Sequence, residues 1–448
     1  MRVGVCAMGW SWRNQKTACA GSVLFRGSVA PRADEFGYLA RRGFDLSAAG
    51  ETNENAHWAL KVRHPQWGTA DVVCMRTGVR PPRQLIDFDP TLTRAEREAA
   101  YLGQSTVSVI VEGERADVLR DRKTLLRFLR AIMGDDGVVA VDHTAQRFWP
   151  PEALDDEIAH DADLDVESLY TIHAVTKDES GDDEVTWLHS HGLAEIGLFD
   201  FDILRPAEEL LGRSRDVLRA VAFAILDGAV TRNTPRYSLV RPDGDVRFVD
   251  VRDFRRRGGR EANELRSSAG DDHNRDRAVL CDVAGGLLGR FFGRVTPSAL
   301  LSRGIGDHET VAFSRAATSL MAERAKGTYL QFRQLAGEFA EFDFPVIAKL
   351  GYRVDGGEPD DREHLWFEVN HLHDDRLDAT LASTPQRVAR LKKGQRGWHL
   401  LDLLTDWAIV TPLGMITPRY TVPARQIRGN RPKFRQLMHE ARRVSEAG

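Results

Sequence analysis

The chain has 448 residues, of which 42% are hydrophobic and 29% charged, and its net charge is −4 at pH 7. Since this length exceeds what one hydrophobic core holds, we expect two or three domains. The composition is typical of a soluble globular protein, and the small net charge excludes a general attraction to nucleic acid or anionic membranes. The predominance of arginine among the basic residues suggests a GC-rich bacterial genome.

Cysteine usage and hydropathy favour the cytoplasm. The four cysteines are widely separated, which argues against a structural zinc site or a disulfide framework and suits a reducing compartment (Cys6, Cys19, Cys74 and Cys281). No apolar run reaches the roughly 18 residues of a transmembrane helix. Arg13 and Lys16 follow the first apolar stretch too early for a signal-peptide core.

The N-terminal half predicts an α+β domain over residues 56–250. Residues 1–55 are weakly patterned, and we do not expect the first 20 to join a core. Beyond them, strands are predicted at 57–78, 105–113 and 137–146, and helices at 92–104, 121–134 and 207–230. Thr93 and Glu96 have the spacing of a capping box at a helix start.

A β-hairpin is predicted where residues 169–178 and 185–197 flank the polar sequence ESGDD. The second of these strands contains His189 and His191.

The C-terminal half predicts four segments. Residues 251–278 are poor in apolar side chains and rich in charge, which favours a loop or linker. Residues 279–340 form a helical connection, with a first helix over 277–293 and a second over 308–339. Six short strands between turns then predict a small β-barrel-like domain over 341–425, before a basic helix or tail at 426–448. The predicted fold class is therefore α+β, with a mixed central domain and a small antiparallel β-barrel-like domain.

Two parts of the chain resemble uncharacterised bacterial families. The sequences EHLWFEV (363–369), ATLASTP (379–385), LKKG (391–394) and TDWAI (405–409) resemble the YegJ-like family, domain-of-unknown-function family 2314. Asp406 and Trp407 match that pattern, whereas Ala379, Ser383 and Gln395 depart from it in turns. The sequences DRKTLLRFLRAI, VAVDHTAQRFW and WLHSHGL are similar to a second uncharacterised domain that precedes the YegJ-like one. The two resemblances span about residues 70–425 and imply no known activity, although related small domains occur among bacterial immunity proteins.

His189 and His191 are the main candidates for a metal site. Residues i and i+2 of a strand point to the same face, so both imidazoles can approach one ion such as Zn²⁺. His173 joins them only if the hairpin register has the right parity. His189, His191 and Asp202 also resemble the ligand positions of JAMM metalloproteases.

The JAMM resemblance is incomplete, however. Gly192 and Phe199 replace the proline and serine of that motif, and Glu112 is the only glutamate we can name as a base. The simpler interpretation, which we favour, is a half-buried strand whose histidines hydrogen-bond to their neighbours.

Three other features have simpler explanations than a functional site. Asp142 and His143 end a strand but need a nucleophile that the sequence does not identify. His371 and His373 run into a predicted turn, which favours solvent-facing residues. The basic residues of 419–443 are accompanied by few aromatic residues, so we interpret them as a solvated tail and do not expect nucleic-acid binding.

These observations favour a non-catalytic binding or interaction protein, with an immunity-type role as one form of it. The alternative is a metal-dependent hydrolase that uses the histidine strand. We expect a protein partner and no membrane association, while the sequence does not predict the oligomeric state.

Overall fold

The computed structural model describes residues 16–49, 54–76, 80–114, 117–176, 185–211, 215–241, 244–262, 265, 276–283, 294–303, 310–311 and 315–447. The fold is α+β and is built on three mostly antiparallel sheets, which confirms the predicted class. No helix among these residues is both long and apolar enough to cross a membrane.

The first sheet has seven strands in the order β2-β3-β4-β5-β1-β6-β7. Its strands are β1 (Lys16–Phe25), β2 (Asp45–Ala48), β3 (Ala56–His64), β4 (Gly68–Met75), β5 (Ser105–Glu114), β6 (Gly137–Asp142) and β7 (Arg147–Trp149). Its helices are α1 (Tyr38–Arg41), α2 (Arg83–Phe88), α3 (Arg94–Tyr101), α4 (Val118–Met133) and α5 (Pro151–Ile158). The apolar stripe of α4 packs on β1 and on the valine-rich face of β5, which forms the main core of this unit.

The second sheet also has seven strands, in the order β14-β11-β12-β13-β10-β9-β8, and β10 and β13 run parallel. Its strands are β8 (Thr171–Thr176), β9 (Val185–His191), β10 (Asp200–Leu204), β11 (Tyr237–Arg241), β12 (Gly244–Asp250), β13 (Arg277–Cys281) and β14 (Thr310–Val311). Its helices are α6 (Glu208–Leu211), α7 (Arg215–Leu226), α8 (Val251–Arg257) and α9 (Ala299–Arg303). α7 covers one face and α8 the other.

The third sheet has six strands in the order β18-β17-β16-β15-β19-β20. Its strands are β15 (Val346–Arg353), β16 (Arg362–Leu372), β17 (Arg376–Leu381), β18 (Arg396–Leu400), β19 (Leu404–Thr411) and β20 (Gly414–Ile416). Four helices pack on one of its faces: α10 (Arg315–Gly327), α11 (Tyr329–Glu338), α12 (Val422–Gly429) and α13 (Arg431–Ala447). Trp407 is fully buried between sheet and helices, where it stacks on Phe332 with ring centroids 4.7 Å apart.

Several predicted elements are confirmed. Thr93 and Glu96 make both hydrogen bonds of the capping box at the start of α3. β8 and β9 pair as an antiparallel hairpin, although the turn that joins them lies outside the described residues. The predicted domain boundaries stay a prediction. The segment 56–250, predicted as one α+β domain, contains strands of both the first and the second sheet.

Other predictions are wrong. The C-terminal strands form an open sheet and not a closed barrel, because β18 and β20 are its two edges and do not pair with each other. Residues 277–281 are a strand and not the start of a helix, and residues 284–293 lie outside the described part. Residues 251–257 of the predicted linker form α8, whose Val251 and Phe254 are buried. β1, which we did not predict, lies inside the first sheet with Cys19 in its core.

Arginines of the basic C-terminal stretch form ion pairs between the unit of the third sheet and the unit of the first sheet. Arg425 donates to Glu96 of α3 at 2.8 Å, and Arg428 donates to Glu152 and Asp156 of α5 at 3.1 Å each. Arg431 and Arg435 pair with Glu341 within their own unit. The predicted solvated tail is therefore wrong for Arg425 and Arg428, whose side chains are 4% and 24% exposed and pair with carboxylates of the first unit.

Arg324 of α10 is a second buried link between these two units. Its Nη1 and Nη2 atoms donate to the two carboxylate oxygens of Glu157 at 3.0 and 2.6 Å, and its Nε donates to the Pro418 carbonyl at 3.1 Å. Lys123 Nζ lies 3.7 Å from Glu157 as well. Burial lowers the pKa of Lys123 to about 8 and, with the neighbouring cations, that of His160 to about 4.

Candidate functional site

Three histidines lie on one face of the second sheet. The register of β8 and β9 places His173 directly opposite His189. His191 shares this face because it lies two residues from His189. The ring centroid of His173 is 5.2 Å from that of His189 and 6.1 Å from that of His191. The three imidazoles therefore form one cluster, at the edge strand and its neighbour.

Asp202 lies on the same face, opposite His189, but other groups hold its carboxylate. Its Oδ1 accepts hydrogen bonds from Trp187 Nε1 at 2.8 Å and from Arg277 Nη2 at 2.7 Å. Its Oδ2 accepts a hydrogen bond from Arg277 Nε at 3.1 Å. Asp202 and Arg277 are 0% and 2% exposed, so this ion pair is desolvated. The predicted fourth ligand is thus part of a buried salt bridge.

Asp200 is a second buried carboxylate beside Arg277. Its carboxylate accepts a hydrogen bond from Ser190 Oγ at 2.7 Å and hydrogen bonds from the amides of Leu193 and Ala194 at 3.2 Å. Burial raises the pKa of Asp200, while Arg277 and these hydrogen bonds oppose that effect. Burial alone would lower the pKa of Arg277, but Asp202 and Asp200 outweigh it and raise the pKa. One guanidinium is therefore the counter-charge that both carboxylates share.

Gly192 ends the histidine strand for a steric reason. Its φ is +119°, and a Cβ atom there would lie 2.4 Å from the Leu169 carbonyl oxygen. Glycine is the residue that tolerates both the conformation and the close contact. This need accounts for the absence of the proline that the JAMM motif has after its second histidine.

The cluster is a packed arrangement of rings in the present geometry. His173 and His191 stack with 11° between their ring planes, and the centroid of His189 lies 4.8 Å from that of Trp187. Within the described part of the chain, no three His, Cys, Asp or Glu side chains are arranged to hold a metal ion. Glu112, the only base we could name, is exposed on β5 of the first sheet.

Three of the other predicted candidates are either paired within the fold or exposed at its surface. Asp142 is paired with the buried Arg122 and accepts hydrogen bonds from the amides of Thr144 and Ala145, so it closes a turn. His371 and His373 are both exposed at the end of β16.

The edge strand β18 carries features that the sequence analysis did not single out. Trp398 and Leu400 are 52% and 61% exposed, although both are large and apolar. They point away from the core, because His399 between them is buried against Phe367 with ring centroids 4.7 Å apart. The signal was present in the sequence as an apolar, alternating strand directly after a run of basic residues, RLKKGQRG (390–397).

Comparison with known proteins assigns no activity to these features. Residues 172–252 match the family model described as protein of unknown function (DUF4026) C-terminal. The chain contains a domain of unknown function. This domain includes β9, β10 and β12 and therefore most of the histidine face. No curated protein and no solved structure matches the chain.

Proposed function

We propose that the protein is a non-catalytic binding protein that pairs the open edge of β18 with an extended, acidic segment of a partner protein. The observation that carries this proposal is the exposure of Trp398 and Leu400 on an edge strand. Edge strands with exposed apolar side chains pair readily with another chain, and soluble proteins usually block them with charge, proline or bulges. An edge of this kind is how many domains bind extended peptides.

The backbone of β18 supports strand pairing. The amide of Leu381 donates to the Gln395 carbonyl at 2.9 Å, so Gln395 belongs to a hydrogen-bonded pair with β17. In an antiparallel ladder such pairs alternate along the strand, which leaves the N–H and C=O groups of Arg396, Trp398 and Leu400 directed outward. A partner strand can therefore bond to the backbone of the same residues that present their side chains.

Charge favours an acidic partner. The segment 390–400 contains Arg390, Lys392, Lys393 and Arg396 and no carboxylate. Arg390 and Arg396 are paired with Asp355 and Asp378, whereas the exposed Lys392 and Lys393 form no ion pair with any described residue. Uncompensated cations beside a binding edge attract opposite charge and raise the association rate. A single exposed tryptophan is a poor platform for successive nucleotide bases, which makes a protein partner the better candidate.

The YegJ-like resemblance and the immunity-type role belong to this proposal. β18 lies within residues 363–409, the segment that resembles the YegJ-like family. A protein that neutralises a partner needs a recognition surface and no catalytic group, and the β18 edge supplies such a surface.

A displayed library of short random peptides tests the proposal. Selected peptides are expected to alternate acidic and apolar residues, because successive side chains of a paired strand face opposite sides. Trp398→Ala should weaken binding of the selected peptides by about tenfold or more, since a central tryptophan is often an energetic hot spot. Hydrogen exchange of the bound protein should show new protection of the amides at 396, 398 and 400.

Leu330→Ala is the matched control, because Leu330 is 56% exposed and belongs to α11 and not to β18. It should leave peptide affinity unchanged. Selection without enrichment, or peptides that bind the Trp398→Ala variant as well as the wild type, would refute the β18 site. Displacement of the peptide by single-stranded oligonucleotides would assign the edge to nucleic acid instead.

Metal-dependent hydrolysis is the second candidate, and the shared face of His173, His189 and His191 favours it. Three imidazoles are a common ligand set for catalytic Zn²⁺. Here His173 and His191 would have to turn out of their stack, and Asp202 would keep its role as the partner of Arg277. Zn²⁺ bound by the three histidines would supply a Lewis acid and an activated water.

Elemental analysis of the purified protein tests this second candidate. It predicts about one zinc ion per chain in the wild type and loss of that zinc in His191→Ala. His371→Ala is the control, because His371 is exposed on the third sheet. Protein without stoichiometric metal, even after dialysis against Zn²⁺, would remove the hydrolase candidate and leave the β18 proposal intact.

A further inference from the structure

A cleft of about 620 Å³ opens at one end of the first sheet. It is lined by residues at the end of β4 and at the starts of β3 and β5, together with the segment that follows β1. This volume is typical of sites that bind small molecules of nucleotide size. The cleft, β18 and the histidine face each lie on a different sheet.

The walls of the cleft are basic. Three arginines and one histidine line it, and no Asp or Glu is among its described lining residues (Arg32, Arg76, Arg80 and His57). Asp34 neutralises Arg32 through a hydrogen bond of 2.6 Å. Among the described residues, Arg76 makes no ion pair, and Arg80 donates only to the Gln104 carbonyl. Neither guanidinium is therefore paired with a carboxylate of the described part of the chain.

One wall of the cleft is flat and apolar. Trp58 is half-buried, and its Nε1 donates to the Pro31 carbonyl at 3.1 Å. Its ring also packs against Phe36 with centroids 5.4 Å apart. These two contacts fix the indole, and Met75 extends the apolar surface beside it. A planar ring can stack on such a fixed indole without a further loss of side-chain freedom.

We propose that this cleft binds a phosphorylated small molecule with a planar ring, of the size of a nucleotide. Arginine pairs are well suited to a phosphate, because a guanidinium bonds to two of its oxygens at once. In this arrangement Arg76 and Arg80 hold the phosphate and Trp58 stacks on the ring. The site is independent of the β18 edge and adds a ligand to a binding protein.

Isothermal titration of the full chain with nucleoside mono- and triphosphates tests the proposal. At least one nucleotide is expected to bind saturably with a Kd below about 1 mM. The corresponding nucleoside should bind at least about tenfold more weakly, because charge-assisted hydrogen bonds to the phosphate are the stronger contacts. Arg76→Gln with Arg80→Gln should weaken nucleotide binding by a similar factor.

The control is Arg63→Gln, which removes an exposed arginine of β3 outside the cleft. It should bind nucleotide as the wild type does. All three substituted arginines are exposed, so each variant should keep the wild-type melting temperature, and calorimetry would verify this. The proposal fails if no nucleotide binds saturably up to about 1 mM, or if the double variant binds as tightly as the wild type.

Discussion

Replacing Arg277 with methionine is expected to destabilise the protein by about 3–5 kcal/mol. Methionine fills a similar apolar volume but removes the cation that lies 2.7 Å from Asp202 and 4.0 Å from Asp200. Two desolvated carboxylates would then share one face of the sheet without a counter-charge. Removing one partner of a buried ion pair is strongly destabilising because the other charge remains buried. Urea unfolding, followed by circular dichroism, measures the loss.

Arg252→Met serves as the control for this prediction. Arg252 also pairs with an aspartate of the second sheet, Asp250, at 3.2 Å, but its side chain is 69% exposed. Asp250 is only 7% exposed, but in this variant it keeps Arg232 at 3.7 Å and the hydrogen bond from the backbone amide of residue 252 at 2.9 Å. Loss of the exposed Arg252 guanidinium should therefore cost at most about 1 kcal/mol. The double variant Arg277→Met with Asp202→Asn should recover part of the stability, because the amide carries no charge. An Arg277→Met variant within about 1 kcal/mol of the wild type would contradict the prediction.

This result bears on the histidine cluster, because a metal and Arg277 would compete for Asp202. A carboxylate with both oxygens bound to a guanidinium is a weak ligand for a second cation. If the loss of stability is as large as expected, Asp202 is a structural residue of the sheet and the resemblance to the JAMM ligand order is a coincidence of spacing. A metal at this face would then rest on His173, His189 and His191 alone.

The histidine face could be predicted from local patterns, but its chemistry could not. The alternation in VTWLHSHGL identified β9, and the polar turn identified its partner strand. The sequence therefore left two possible registers, one with His173 and His189 on the same face and one with them on opposite faces. Arg277 lies 75 residues from Asp202 in sequence and was assigned to the end of a charged linker. A contact of that separation depends on the parallel pairing of β10 and β13, which no local pattern in the chain encodes.

Whether the third sheet closes into a barrel could not be predicted from local patterns either. Its short strands and turns were visible in the sequence, yet these features are common to barrels and open sheets. The choice depends on whether the edge strands meet, and here β18 and β20 lie at opposite ends of the sheet. The exposed face of Trp398 and Leu400 follows from that choice, because a closed barrel would have paired the backbone of β18.

The basic segment after residue 418 was misinterpreted because charge alone does not identify its partner. Arg425 and Arg428 pair with carboxylates of the first unit, and Arg428, Arg431 and Arg435 pair with carboxylates of their own unit. All of these partners lie 90 or more residues away along the chain (Glu96, Glu152, Asp156, Glu338 and Glu341). Local composition predicts a solvated tail for such a segment. The carboxylates that neutralise it come together only once α3, α5 and α11 have packed.

Arg324→Met is expected to separate the unfolding of the third sheet's unit from that of the first. Arg324 is 7% exposed and its partner Glu157 is 8% exposed, so the substitution leaves a buried carboxylate at the interface with Lys123, at 3.7 Å, as its remaining partner. Burial alone would raise the pKa of the Glu157 carboxyl, but the neighbouring cations, chiefly Arg324, lower it below its usual value. The ion pair between Arg324 and Glu157 is therefore a strong interaction. We expect the free energy of unfolding to fall by about 3–5 kcal/mol. In calorimetry, the third sheet's unit and the first unit should unfold in two separate transitions, whereas in the wild type they unfold together.

The control for Arg324 is Arg333→Met on α11, whose partner Asp374 is 91% exposed, and it should change stability by less than about 1 kcal/mol. The decisive variant is Arg324→Met with Glu157→Leu. If the ion pair acts only by satisfying a buried charge, an apolar replacement of both partners should restore most of the stability, as it does for other buried pairs. If stability returns but the two transitions stay separate, the ion pair specifies how the units dock, and the arginines of α12 supply the remaining attraction. A single restored transition would instead mean that apolar packing between α5 and α10 is sufficient to hold the units together.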